Sequence, residues 1–401
     1  MSTRLIGDGV HDDTAAIQAL LDSGRKTVYL PPPSVCYRIS RCLKIHSHTE
    51  LRLDRLTTIR LAPQSNCLML ENAESDAEDI HICGGIWDFN NREQRPNPLV
   101  TSGNFVIDKA YWLSHPTRYD EAYLGVVIRL SHVEGLSLRS LTIKDPVTFG
   151  IQMAYIRNFT VDDITFDYNY GNPTAENMDG VHLDGGCRFG QITNLKGACY
   201  DDLLALNADD FCHGPIEDIA VDGIFAEDCH SAVRLLSARS PVRRISIRNV
   251  FGTYYQYGVQ LSRFYDYEKA YDGIYDGITL SNLYLSKAPR HPVYHRDDQD
   301  NWPLILINSG LRIGHLQISS FHRMETSVPA TTIGIFPDTE IERLSLSHCT
   351  QQNETGGECP FLCNEGSIHT LHLCDVQPGK DTLLTGNGLI RQIEKTPNSV
   401  G

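Results

Sequence analysis

The stretch "ENMDGVHLDGG" (176–186) gathers Asp179, His182 and Asp184 at strand-like spacing. The following "YDDLLALNADD" (200–210) adds Asp201 and Asp202, then Asp209 and Asp210. Crowded carboxyls raise one another's proton affinity, so one can stay protonated while its neighbour is ionised. That division of labour suits general acid–base chemistry. The plainer alternative is a polar outer face, as "DDITFD" (162–167) shows with no motif around it. His182 and Asp184 fall on one strand face, opposite Val181 and Leu183, which fits either substrate contact or a structural hydrogen bond. Asp209 and Asp210 read as a solvated turn. His230 in "CHSAVRLLS" is the next ionisable group in a motif-like setting, and His213 in "FCHG" is a competing match that comes too early.

The elements that must position these groups are strands. "VEGLSLRSLTIKD" (133–145), "IRNFTVDDITFDY" (156–168), "IEDIAVDGIFAED" (216–228), "VRRISIRNVFGTY" (242–254), "YDGITLSNLYLSK" (275–287), "IERLSLSHCTQ" (341–351) and "SIHTLHLCDVQ" (367–377) share one pattern: alternating apolar residues, a short break, then a second alternating run. The breaks are too short for crossover helices, which excludes a doubly wound α/β fold, and few hairpin turn signals favour a sandwich. Repetition every two to three dozen residues predicts a solenoid, an all-β right-handed parallel β-helix. Asn158, Asn194, Asn249 and Asn282 sit at the breaks, where asparagine tolerates left-handed turn geometry. "GDGVHDDTAAIQALLDSG" predicts a short helix capped by Asp12 or Asp13, with Ile17, Leu20 and Leu21 inward and Gly24 ending it. Such a helix would close the open end of the stack. The chain is expected to form one domain over 1–401, with an N-terminal cap (1–35), loop insertions at 91–124 and 253–303, and a C-terminal tail (380–401). The first insertion carries Tyr111, Trp112, Tyr119 and Tyr123, and long loops of a solenoid usually build its binding groove; the tyrosines between 254 and 275 could stack on a ligand face or simply shield a loop.

A formal net charge of −15 argues against a nucleic-acid partner. The sequence has no run of 18 apolar residues, so no membrane partner is expected. The opening residues lack a signal-peptide core, which reads as cytoplasmic. Twelve cysteines form no CxxC and sixteen histidines no HExxH, so neither a zinc site nor a disulfide framework is expected; reduced thiols packed as small apolar groups fit better. No cofactor or metal is expected, and nothing in the sequence fixes an oligomeric state.

The blocks "ENMDGVHLDGG", "YDDLLALNADD" and "CHSAVRLLS", after the entry "GDGVHDDTAAIQ", resemble in order the signatures of glycoside hydrolase family 28, the polygalacturonase-like members of the pectin-lyase-like β-helices. The resemblance implies that Asp201 is the general acid, that Asp179 and Asp202 hold and deprotonate the attacking water, and that His230 lies beside the acid. Inverting hydrolysis needs a protonated and an ionised carboxyl roughly 6.5–9.5 Å apart, and strands on neighbouring coils lie roughly 4.8 Å apart. The 22 residues from Asp179 to Asp201 make one coil. Asn177, His182, Asp184, Arg234, Gln260 and Arg263 are expected to line the substrate groove. The family's uronate-binding Arg-x-Lys block is replaced here by Gln260 and Ser262 in "YYQYGVQLSRF", with Arg234 and Arg263 near enough in sequence to compensate; otherwise the sugar at the cleavage point is neutral. The expected activity is an exo-acting glycoside hydrolase on pectin-derived or related plant oligosaccharides. The alternatives are a polysaccharide lyase on the same scaffold, with carboxylates holding calcium and Arg234 or Arg263 as base, and a non-catalytic, tailspike-like glycan-binding protein.

Overall fold

In a computed structural model, residues 4–97, 124–263, 271–289 and 302–396 are described. The fold is a right-handed parallel β-helix. Two compact units divide the chain, Met1–Leu204 and Ala205–Gly401. Among the described residues no helix is long and apolar enough to cross a membrane.

In the first unit the alternating runs become strands stacked in parallel, and alternation turns into columns. Val28, Leu51, Ile82, Leu138, Val161 and Ile192 lie in register on successive strands, all facing the interior. The second unit repeats the device with Val221, Ile247, Leu280, Ile318 and Leu346, and the column ends on the half-buried Leu373. Parallel stacking pairs like with like, so one apolar position per coil builds a continuous core. The outer face stacks as well: the rings of Phe225, Phe251, Tyr284 and His322 follow one another at 5.2, 4.9 and 5.0 Å between centroids.

The breaks are corners. Asn158, Asn194, Asn249 and Asn282 all have positive φ, between 53° and 59°, as expected. Asn249 pairs with Asn282 on the next strand, and the Asn282 side-chain amide donates to the Asn249 oxygen. Ser320, His348 and Asp375 continue this column, with φ of 49°, 52° and 51°. Because both runs flanking a corner belong to the ladder, long bent strands result, such as Ile216–Leu236 and Val242–Ser262. Two strands outside the repeat pattern read from the sequence, Arg188–Ala198 and Leu311–Glu325, join the same stacks.

The helix Thr14–Leu21 forms where expected, burying Ile17 and Leu21, while Leu20 is half-buried. Asp12 accepts the Thr14 N–H at 2.9 Å, whereas Asp13, at the N-cap position, turns its carboxylate to Ile6 and Gly7 N–H groups at 2.7 and 3.1 Å. Of the segments read as insertions, most of 91–124 lies outside the described residues, including Tyr111, Trp112, Tyr119 and Tyr123. Within 253–303, residues 253–262 complete the strand Val242–Ser262, and Gly273–Lys287 is a further strand. Tyr254, Tyr255, Tyr257 and Tyr275 are consequently buried. That removes them as sugar-stacking groups, because their rings fill the core instead. No cysteine is exposed, and burial pushes the Cys187 thiol up to about 12.

Candidate active site

Asp179, Asp201 and Asp202 come together in the first unit. Asp179 precedes the short strand Val181–Leu183, and Asp202 opens the next strand of the stack, Asp202–Asn207. The Gly180 N–H donates to the Asp202 carbonyl at 3.0 Å, so the 22-residue interval is one coil. Gly180 permits the approach, since a Cβ there would stand 2.4 Å from the Leu203 carbonyl oxygen. The Tyr168 hydroxyl donates to the Asp179 carbonyl at 3.0 Å and helps hold the turn.

Each of the three carboxylates offers an oxygen within 4.8 Å of the other two. Asp179 and Asp202 are buried, and Asp201 is half-buried, the most accessible of the set. Asp179 Oδ1 accepts the backbone N–H of Asp202 at 3.1 Å, and its Oδ2 meets His182 Nδ1 at 2.6 Å. Asn177 Nδ2 donates to Asp201 Oδ2 at 3.3 Å. Oxygens this close can hold one water and share protons, and a cation under the lyase alternative.

His182 and Asp184 do not line a groove as expected. They are 1% and 0% exposed, although alternation turns them away from the apolar Val181 and Leu183. His182 Nε2 lies 3.4 Å from Asp184 Oδ1. Gln152, in register with His182 on the preceding strand, donates to Asp184 Oδ2 at 3.1 Å. Phe149 stacks on the imidazole, with centroids 4.3 Å apart and planes at 18°. Burial alone would favour the neutral ring; the charge of Asp184 and the hydrogen bond to Asp179 outweigh it and hold the proton affinity of His182 well above the ordinary value. Gln152 and Phe149 carried no chemical signal in the sequence; only register reveals them.

The remaining candidates belong to the second unit. His230 is buried, with Nδ1 3.2 Å from the Ser231 hydroxyl. Arg234 and Gln260 are register partners on adjacent strands. Arg234 Nε donates to Ser262 Oγ at 3.3 Å, and Gln260 Nε2 to Asn308 Oδ1 at 3.2 Å. Gln260 and Ser262 are buried. Arg263 donates to the Tyr271 carbonyl at 2.6 Å and lies 3.8 Å from Asp272.

Asp209 and Asp210 correct the reading as a solvated turn, for both are buried. Asp209 Oδ2 accepts the N–H groups of Ala238, Arg239 and Ser240 at 2.9, 2.8 and 2.7 Å, and Oδ1 faces His213 Nδ1 at 2.9 Å. Asn207 donates to Asp210 at 3.1 Å. An anion caught by three backbone donors is a structural staple across the turn at 238–240.

No family model matches the chain, and no curated protein matches it. Among solved structures, it is similar to PfbA, a surface adhesin of Streptococcus pneumoniae (15% identity, TM-score 0.56, 98% of this chain and 91% of that one). It is also similar to the A-module of the Azotobacter vinelandii mannuronan C-5 epimerase AlgE6 (11% identity, TM-score 0.55, 98% and 97%). A third likeness is to a Yersinia enterocolitica family 28 exopolygalacturonase (12% identity, TM-score 0.49, 97% and 77%). The first two show the fold, a parallel β-helix.

Proposed function

We propose that this protein is a glycoside hydrolase similar to family 28, exo-acting on pectin-derived or related plant oligosaccharides, with inversion. The observation that carries the reading is the convergence of Asp179, Asp201 and Asp202 with graded exposure. Asp201 is the acid that protonates the glycosidic oxygen, consistent with its being the accessible member. Asp179 and Asp202 hold and deprotonate the water. Inversion is supported by Asp179 itself: both its oxygens already accept hydrogen bonds, which suits a base acting through water better than a nucleophile. A neutral sugar at the cleavage point is proposed from the sequence alone, where Gln260 and Ser262 stand in place of the uronate-binding Arg-x-Lys block.

The fold does not choose between catalysis and binding, since an adhesin and an epimerase share it. A glycan-binding protein without turnover is the second reading. The deciding experiment is a screen of the purified protein against plant oligosaccharides, with the product anomer read by NMR. Hydrolysis with inverted anomeric configuration, lost in Asp201→Asn, is expected. Retained configuration would overturn the assignment of Asp179, an unsaturated product would establish the lyase, and binding without turnover would leave the adhesin-like reading.

A further inference from the structure

We infer that Asp184 and His182 form a buried relay behind Asp179 that fixes the orientation and charge of this carboxylate, making His182 a positioning residue for the hydrolysis. The inference rests on the proposed reaction for its consequence, but not for its geometry. His182 sits between two carboxylates, Nδ1 at 2.6 Å from Asp179 and Nε2 at 3.4 Å from Asp184. A neutral imidazole has one N–H and would turn a lone pair toward one of them; an imidazolium donates to Asp179 and carries its charge at ion-pair distance from Asp184. Burial of all three groups makes the mismatch costly, whereas one cation between two anions reduces the buried net charge. Phe149 and Gln152 lock the far side, the first by stacking on the ring and the second by holding Asp184. At 1% exposure His182 presents no surface to a substrate, so its effect passes through Asp179.

Among the described residues, Asp179 and Asp184 flank His182, Asp201 and Asp202 cluster with Asp179, and Gln152 and Phe149 on the preceding coil are neutral. Arg129 is two strands away in the same column as Gln152 and His182. A cation against Asp179 keeps it ionised as pH falls, which is what a water-activating base requires.

Nitrogen-15 NMR of histidine-labelled wild-type protein tests the charge state without reference to activity, with the His182 signal assigned by its loss in His182→Asn. Both ring nitrogens protonated at neutral pH are expected, with a change to the neutral ring in Asp184→Asn. On a turned-over oligosaccharide, Asp184→Asn and His182→Asn should lower kcat about 10-fold or more, leave KM within about 3-fold, and move the acidic limb of kcat/KM upward by roughly one pH unit or more. A neutral His182 in the wild type overturns the inference, as does an acidic limb unmoved in a folded Asp184→Asn protein. If no glycan is turned over, the hydrolase reading fails, while the NMR result still decides the relay.

Discussion

At the residue scale, the three carboxylates differ in surroundings although they share a side-chain type. Asp201 meets Asn177 and is half open, Asp202 is sealed, and Asp179 is fixed through both oxygens. Asp201→Asn should therefore lower kcat by about 10²–10⁴-fold with little change in oligosaccharide affinity, read by turnover and by calorimetric binding. Asp202→Asn should match it in activity and also lower the melting temperature, since a buried carboxyl at the start of a packed strand is replaced. Loss of binding alongside turnover in Asp201→Asn would count against its role as acid. The acids and their one-coil interval were legible because motif order and alternation agree. The burial of His182 was not, because alternation assigns a face but does not say what covers that face.

At the element scale, the corners carry the specificity of the fold. Left-handed geometry strains a residue with a Cβ by about 1–2 kcal/mol, and asparagine tolerates it better than most. Asn282→Ala should thus cost about 1–2 kcal/mol, while Asn282→Gly keeps the backbone at ease and loses only the amide contact with Asn249. Urea denaturation of the pair isolates the backbone contribution, and equal losses would refute it. The asparagine corners could be read from sequence, but Tyr155, Phe189 and Arg244 also adopt positive φ, and nothing in their chemistry announces it. Stacking against neighbouring coils imposes those turns. Asp209 is the second case, a pair of acids that looked like surface because sequence cannot show the three N–H groups of Ala238–Ser240 closing on it. Burial opposes the Asp209 charge, but His213 and these N–H groups more than compensate and hold its carboxyl below the usual value. A depressed carboxyl stabilises the fold above the unfolded value near pH 4 and loses that contribution as pH falls through its folded value. Asp209→Asn should cost about 2–3 kcal/mol at pH 7 and flatten the acid limb of a stability–pH profile below about pH 4. An unchanged limb would show that the staple titrates elsewhere.

At the scale of the whole molecule, the periodicity that made the fold legible also dictates how it responds to damage. Each strand of a parallel stack touches only its neighbours, so stability is close to a sum of coil and nearest-neighbour contributions. Leu280 lies in the interior column between Ile247 and Ile318, fully buried. Leu280→Ala should cost about 2–5 kcal/mol, whereas Leu389→Ala in the strand Leu389–Thr396, where Leu389 is 55% and Ile393 46% exposed, should cost less than about 0.5 kcal/mol. Hydrogen exchange locates the damage. In Leu280→Ala, amides of Gly273–Lys287 and of the flanking Val242–Ser262 and Leu311–Glu325 should exchange faster, while those of Ser367–Gln377, three strands away, keep their wild-type rates. Uniform acceleration through all these strands would instead mean that the coils unfold as one cooperative body, and that the solenoid's repetition governs its architecture without dividing its stability.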